Sequence, residues 1–195
     1  VHSVQRTIKK VIHLLCTTFE HKWCKRFMTT HIPVLTNQVL QMLGVKKGQV
    51  FIDATLGAGG HTLTILEILQ GTGAVYGIDV DSRNLELAQQ KLESYKNCHF
   101  IRDNFENLEN IGQQVIEKEG HIDGILMDLG LSSFHTDEPE RGFSFQTEGP
   151  LDMRFDTRSP LTAADIINTY TLEELLSIFR SYGEERSSYR IAPNI

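Results

Sequence analysis

A glycine-rich turn follows a short apolar run in the stretch FIDATLGAGGHT, Phe51 to Thr62. Such a turn brings backbone N–H groups close to a ligand, and here it leads into a predicted helix. Aspartates end three predicted strands, at Asp53, Asp79 and Asp128. Each one alone is also typical of a strand-end cap. Because ligands on parallel sheets bind beyond the carboxyl ends of the strands, the combination predicts a site for a nucleoside-containing ligand.

The spacing of the turn separates the cofactor classes. The dinucleotide fingerprint G-x-G-x-x-G requires Gly or Ala where Thr62 stands, and the Gly-Lys-Ser/Thr of a phosphate-binding Walker loop is absent from the turn. The pattern acid-x-x-x-Gly-x-Gly from Asp53 to Gly59 resembles motif I of class I S-adenosylmethionine (SAM) methyltransferases, with Thr55 replacing one usual glycine. Asp79 follows about twenty residues later, a spacing that suits a carboxylate accepting both ribose hydroxyls. NAD proteins share this last feature, so the aspartate alone does not choose between cofactors.

Alternating strands and helices are predicted to position these residues. The predicted strands are Val50–Ala54, Ala74–Val80, His99–Arg102 and Ile122–Asp128. The helices between them are predicted at His61–Leu69, from a cap at Ser82 to about Tyr95, and at Leu108–Lys118. This alternation indicates βαβ units, a parallel sheet and the α/β fold class. Beyond a loop at Gly130–Pro160, one helix is predicted to start with a cap at Ser159 and Pro160, and another at a Thr171–Glu174 capping box.

The composition is that of a globular protein with a distinct N-terminal segment. The chain has 195 residues, a formal net charge of -6 and three cysteines without metal-ligand spacing. No apolar run approaches the roughly 20 residues of a membrane span. We therefore expect reduced thiols, no metal, no membrane association and a cytoplasmic location. Residues 1–27 are basic and are expected to lie outside the catalytic fold; if they form a transit peptide, the location is a mitochondrion or plastid.

Five longer stretches resemble one protein family. They are HIPVL at His31–Leu35, GAGGHT in the turn, DGILMDLGLSS at Asp123–Ser133, ERGFSFQTEGPLDMRFD at Glu140–Asp156 and YGEER at Tyr182–Arg186. Together they resemble the RsmH (MraW) family, whose members use SAM to methylate the N4 amine of a decoding-site cytidine in small-subunit ribosomal RNA. The resemblance implies a Rossmann-like class I methyltransferase sheet in residues 28–134. It also implies that residues 135–195 form a loop and the start of an inserted helical substrate domain.

The resemblance further implies which residues bind the cofactor. Contacts to SAM are expected at Gly57, Gly59, Gly60, His61, Asp79, Phe105, Asp128 and His135. His135 stands where the family usually has a glutamine, and an imidazole also donates or accepts hydrogen bonds but is shorter.

Methyl transfer requires a carboxylate or carbonyl that accepts the N4 hydrogens, because the lone pair of this amine is delocalised into the cytosine ring. Asp128 is the first candidate. Asp152 is the second, since an acid beside Arg154 should stay ionised. An equally open interpretation is that Asp152 and Arg154 only brace their loop.

An RNA contact is expected from the loop that follows. The residues are Arg141, Phe143, Phe145 and Arg154, through base stacking and phosphate binding. The aromatic residues could equally form the core of their own loop.

Family members continue well beyond the YGEER motif with further helices and strands. The resemblance therefore implies that this chain corresponds to about the first half to two-thirds of such an enzyme, with its fourth strand at an unprotected sheet edge. We expect small-subunit ribosomal RNA or the assembling small ribosomal subunit as partner, and leave a homodimer open. The alternatives are an inactive SAM- and ribosome-binding protein and an NAD-dependent oxidoreductase.

Overall fold

A parallel four-stranded sheet forms the centre of the computed structural model, which describes residues 33, 35–131, 135–136, 138–144 and 146–195. The strands are β1 (Val50–Asp53), β2 (Ala74–Asp79), β3 (Cys98–Arg102) and β4 (Gly124–Leu126), in the order β3-β2-β1-β4. Ile52 of β1 pairs with Tyr76 of β2 on one side and with Ile125 of β4 on the other. The predicted α/β fold class with a parallel sheet is confirmed. The predicted extension at residues 1–27 lies outside the described residues.

Helices precede, connect and follow the strands of this sheet. Their bounds are α1 (Thr36–Leu43), α2 (Gly60–Leu69), α3 (Ser82–Lys91), α4 (Leu108–Glu119), α5 (Ala163–Thr169), α6 (Leu172–Ser181) and α7 (Ser188–Ile191). Short 3-10 turns lie at Phe105–Asn107, Pro139–Arg141 and Ala192–Asn194. Within the described part of the chain, no helix is long and apolar enough to cross a membrane.

Both faces of the central strands are buried, which explains why β1 and β2 have almost continuous apolar sequences. On one face, Val50 and Ile52 pack with Ile111 and Val115 of α4. On the other, the buried residues are Phe51, Val75, Leu92, Cys98 and the α2 residues Ile65, Leu66 and Leu69. Truncating one of these leucines to alanine should cost about 2–5 kcal/mol of unfolding free energy. This two-sided core holds the carboxyl ends of the strands in fixed positions.

Strand β4 lies at the edge of the sheet and its outer residues are only partly covered. Ile125 is 45% exposed and Met127 is 41% exposed, and Leu129 and Leu131 continue the same alternation with similar exposure. Ile125 pairs with Ile52, so the two lie on the same face of the sheet. Ile52 is fully buried and Ile125 is not, so the packing that covers β1 on this face does not extend over β4.

Two predicted helix starts are wrong, and β4 is shorter than predicted. The N-cap of α3 is Asp81, whose Oδ1 accepts the Arg83 N–H at 3.0 Å, rather than Ser82, which is the first helical residue. Helix α5 begins after Thr162, which forms a capping box with Asp165, rather than at Ser159. Such a box satisfies two N–H groups of the first turn reciprocally, a stronger signal than a proline. The Thr171–Glu174 box that precedes α6 is confirmed.

Candidate active site

The glycine turn between β1 and α2 is shaped by its backbone conformation and by two close contacts. Gly57 and Gly59 have φ angles of 52° and 73°, in the left-handed region that favours glycine. A Cβ on Gly59 would lie 2.9 Å from Leu92 Cδ1, and one on Gly60 would lie 2.4 Å from Pro33 Cγ. Glycine is therefore required at position 60, where Pro33 packs onto the turn. A Cβ on Gly57 would meet only a backbone oxygen at 4.0 Å, so a ligand can approach that backbone.

Asp79, the last residue of β2, binds the turn directly. Its Oδ2 accepts the Gly57 N–H at 2.8 Å and the Asn84 side-chain amide at 3.2 Å, and its Oδ1 accepts the Asp81 N–H at 2.9 Å. Burial raises the pKa of Asp79, and these three hydrogen bonds oppose that rise. A carboxylate has about four acceptor positions. Three are used here, so accepting two further hydroxyl groups requires one of these donors to shift.

Asp128 lies beside the turn, although it follows a different strand. Its backbone N–H donates to Thr55 Oγ1 at 2.7 Å, which gives a role to the threonine that replaces a usual glycine. Its Oδ2 lies 3.7 Å from Nε2 of the buried His61, and its own side chain is 59% exposed. The second ring nitrogen of His61, Nδ1, has no hydrogen-bond partner among the described residues. The structure thus presents the Asp128 carboxylate at the surface of the site.

Asp53 has a structural position below the turn. It is buried, and its two oxygens accept the Thr62 hydroxyl at 2.7 Å and the Thr55 N–H at 3.2 Å. Burial raises its pKa, and the Thr62 and Thr55 hydrogen bonds oppose this. Thr62 has no exposed surface. The position that must be small in a dinucleotide site is therefore filled by a side chain that is bonded to the strand below.

The loop after β4 contacts the start of α3 through Asp81. Asp81 Oδ2 lies 3.0 Å from Arg141 Nη1 and 3.3 Å from His135 Nε2. Burial and the Arg141 charge lower the pKa of His135, while the carboxylates of Asp81 and Asp79 oppose this. The His135 ring packs at 5.2 Å from Phe143 and 5.0 Å from Phe155. These contacts support the interpretation that Phe143 belongs to the core of its own loop.

Asp152 and Arg154 form a two-point ion pair in the same loop. Arg154 Nε donates to Asp152 Oδ1 at 2.9 Å, and Nη2 donates to Oδ2 at 2.6 Å. The guanidinium lowers the pKa of Asp152 to about 2. Arg154 Nη1 also donates to the Ser159 carbonyl at 2.7 Å, and Arg141 Nη2 donates to the carbonyl of Arg154 at 2.9 Å. The main polar groups of the pair therefore brace the loop.

The structure brings some predicted site residues into direct contact and leaves others apart. Gly57 contacts Asp79, and His61 contacts Asp128. Phe105 follows β3 and is 44% exposed. Phe145, predicted to contact RNA, lies outside the described residues.

Sequence reasoning missed two residues that shape the site, Asp81 and Asn84. The acid immediately before the predicted cap at Ser82 was a usable signal for Asp81. Asn84, on the first turn of α3, has no signal in the sequence that ties it to Asp79.

Comparisons with known proteins agree with these features. A profile described as the MraW methylase family matches residues 28–195. The ribosomal RNA small subunit methyltransferase H of Halothermothrix orenii is 46% identical over 165 residues, covering 85% of this chain and 52% of that protein. The protein of the same name from Dehalococcoides mccartyi is 48% identical over 163 residues, covering 83% and 46%. This chain thus spans about half the length of these curated relatives.

A partial structural match was also found. The crystal structure of a SAM-dependent methyltransferase from Aquifex aeolicus aligns with 36% of this chain and 38% of that one, at 26% identity and a TM-score of 0.33. The fold assignment rests on the strand order instead. The family resemblance predicted from five motifs is confirmed by a match that includes the turn, the strand ends and the loop after β4, and the chain belongs to the MraW methylase family.

Proposed function

We propose that this chain supplies the SAM-binding half of an enzyme that methylates the N4 amine of a cytidine in small-subunit ribosomal RNA. The observation that carries the proposal is the bond between Gly57 and Asp79, which joins an open glycine turn to a carboxylate at the neighbouring strand end. Relatives that carry the name ribosomal RNA small subunit methyltransferase H supply the substrate class.

The residues around the turn fit SAM. The first N–H groups of α2 have no partner within the helix, and they suit the carboxylate of the amino-acid part. Asp79 suits the ribose hydroxyls, because releasing or sharing one of its three donors, which come from Gly57, Asn84 and Asp81, provides the second acceptor position. The buried Nδ1 atom of His61 is an additional polar atom beside the turn that a ligand can satisfy. When bound, SAM supplies an electrophilic methyl group on its sulfonium sulfur.

Asp128 is proposed to hold the cytidine amine. An ionised carboxylate that accepts the N4 hydrogens localises the nitrogen lone pair, so the nitrogen can point toward the methyl group. Thr55 fixes the backbone of Asp128, and His61 lies against its carboxylate. A strong base is unnecessary because the proton can leave after transfer. Asp152 is the weaker candidate, since Arg154 already engages both of its oxygens.

Two alternatives are separated by simple observations. An NAD-dependent oxidoreductase is disfavoured because Thr62 is buried at the position that must be small. A SAM- and ribosome-binding protein without activity is the second candidate, and the exposure of Ile125 on β4 favours it. A turnover assay distinguishes it from the enzyme.

The test is transfer of a labelled methyl group from SAM to small ribosomal subunits, followed by nucleoside analysis. We expect label in N4-methylcytidine when this chain is extended with the second half of the Halothermothrix orenii relative, and weak transfer by the 195-residue chain. Asp128→Asn in the extended chain should lower the rate at least about 100-fold, a much larger change than its effect on SAM affinity. Label on another nucleoside, or an Asp128→Asn rate equal to the unaltered one, would refute this assignment.

A further inference from the structure

Asp81 connects two parts of the chain that the proposed reaction needs together. One is the end of β2, where Asp79 lies two residues away and accepts the Asp81 N–H at 2.9 Å. The other is the loop after β4, which contributes Arg141 and His135 to the same Asp81 oxygen, at 3.0 and 3.3 Å. These partners are separated from Asp81 by more than fifty residues of sequence. All of them belong to one compact unit, residues 31–195.

The two oxygens of Asp81 have different roles. Oδ1 caps α3 by accepting the Arg83 N–H, a role that asparagine fills equally well. Oδ2 receives the loop, and Asp81 is only 8% exposed. The Arg141 side chain is only 12% exposed, and a charge with so little contact with water needs a charged partner, because leaving it unpaired is costly. The cap therefore explains a short polar residue at this position, but the loop contact requires a carboxylate.

A second contact joins the same two elements. Arg83, the next residue but one, lies with Nη1 2.5 Å from Glu138 Oε1, immediately before the 3-10 turn that carries Arg141. Arg141 then donates to the carbonyls of Arg154 and Phe155 at 2.9 and 3.1 Å. These bonds hold the later part of the loop against the 3-10 turn. The start of α3 thus helps to hold the described residues of this loop, 138–144 and 146–155, in place.

We propose that Asp81 is a positioning residue that couples SAM binding at Asp79 to the placement of the loop at residues 138–155. The inference rests on the proposed function. Asp79 must release or share a donor when it accepts ribose hydroxyls, and the Asp81 N–H is one of its three donors. A change at Asp79 therefore reaches Asp81, and through Oδ2 it reaches Arg141. Thermodynamic linkage is reciprocal. If bound SAM favours the held position of the loop, then that position of the loop raises SAM affinity by the same factor.

The test compares the unaltered chain with Asp81→Asn, which keeps the helix cap and removes the charge. Calorimetry measures SAM affinity, and hydrogen–deuterium exchange measures protection of residues 138–155 with and without SAM. For the unaltered chain, we expect SAM to slow exchange in this loop. For Asp81→Asn, we expect about tenfold weaker SAM binding and loss of the SAM-dependent slowing of exchange. A change of about tenfold lies within the usual range of coupling between two sites.

Two further variants separate coupling from general damage. Asp156→Asn removes a carboxylate immediately after this loop. Among the ion pairs within the described residues, Asp156 pairs only with the nearby Arg158, so this variant should keep both readouts. Arg141→Gln breaks the Asp81 contact from the other side. It should reproduce the effect of Asp81→Asn on SAM affinity, and the double variant should be no worse than the stronger single one.

The outcomes distinguish the inference from the function on which it rests. If the unaltered chain binds SAM and Asp81→Asn, folded by its melting curve, keeps the full SAM-dependent slowing of exchange, the inference is overturned and the proposed function stands. If Asp156→Asn weakens SAM binding as much as Asp81→Asn, the effect is not specific to Asp81 and the inference is likewise overturned. If the unaltered chain binds no SAM, both the proposed function and the inference fail.

Discussion

The backbone N–H of Gly57 donates to the Asp79 carboxylate at 2.8 Å, and this bond joins the turn after β1 to the end of β2. The two residues are 22 positions apart. Parallel pairing of β1 with β2, in which Asp53 lies beside Gly77, brings them together at the carboxyl edge of the sheet. The position of the candidate cofactor site is thus a direct consequence of the sheet register.

The glycines of the turn can be tested against a glycine of similar conformation elsewhere. Gly59→Ala should cost about 1–2 kcal/mol for its positive φ, and more because its Cβ would lie 2.9 Å from Leu92 Cδ1. Gly71 has a similar φ of 79° but nothing within 4 Å of a Cβ, so Gly71→Ala should show only the conformational cost. Chemical denaturation and SAM calorimetry measure the difference. Equal stability and SAM affinity in the two variants would argue against the packing assigned to Gly59.

The Asp152–Arg154 pair predicts a specific pH dependence. The folded pKa of Asp152 is lowered to about 2, below the value of about 3.9 expected in an unfolded chain. The pair therefore stabilises the fold fully above about pH 4, and its contribution is lost as the pH falls toward about 2. Asp152→Asn should lower the melting temperature at pH 7, and the difference should disappear near pH 2. A difference that stays constant from pH 7 to pH 2 would show that charge is not what stabilises the loop.

The sequence predicts those parts of the fold that depend on local signals. The apolar runs at β1 and β2 and the Thr171–Glu174 capping box locate elements without knowledge of the rest of the chain. The predicted start of α5 fails because two capping signals lie within four residues, and Thr162 with Asp165 satisfies more backbone groups than Ser159 with Pro160. Local signals of comparable strength cannot be ranked from sequence alone.

The candidate site is only partly predictable for a different reason. The placement of Asp79 follows from strand order, since parallel strands share one carboxyl edge. The contact between Asp81 and Arg141 depends on the path of a long loop, and no periodicity encodes that path. Motif recognition identified Arg141 as a functional candidate, but whether its guanidinium contacts RNA or the protein itself is decided by tertiary packing.

The partly exposed β4 edge predicts self-association of the 195-residue chain. Ile125 on β4 is 45% exposed and Met127, just after the strand, is 41% exposed. The outer edge of β4 is unpaired in the described part of the sheet, and such edges promote pairing with other chains. Replacing both residues with threonine should reduce light scattering at high protein concentration. Met42→Gln, at a residue that is 86% exposed on α1, is the control and should change little. If the double threonine variant and Met42→Gln change the scattering equally, the exposed β4 edge is not the cause of the association.

The N-terminal segment can be tested by deletion. Residues 1–27 are basic, and the family match begins at residue 28. A chain that begins at Met28 should therefore keep its melting temperature within about 2 °C and its SAM affinity within about twofold, the range of changes remote from a core. A large loss of either would show that the segment packs on the catalytic fold.

The most direct test of the central claim is a calorimetric titration of the 195-residue chain with SAM and, separately, with NAD. The open turn at Gly57, the carboxylate of Asp79 and the buried Thr62 predict binding of SAM and no measurable binding of NAD. Asp79→Asn should weaken SAM at least about tenfold, because an amide replaces the charged acceptor of the ribose hydroxyls. Glu117→Gln, an exposed carboxylate on α4, should leave the affinity unchanged. Binding of NAD in preference to SAM, or SAM affinity that is unchanged in Asp79→Asn, would contradict the account.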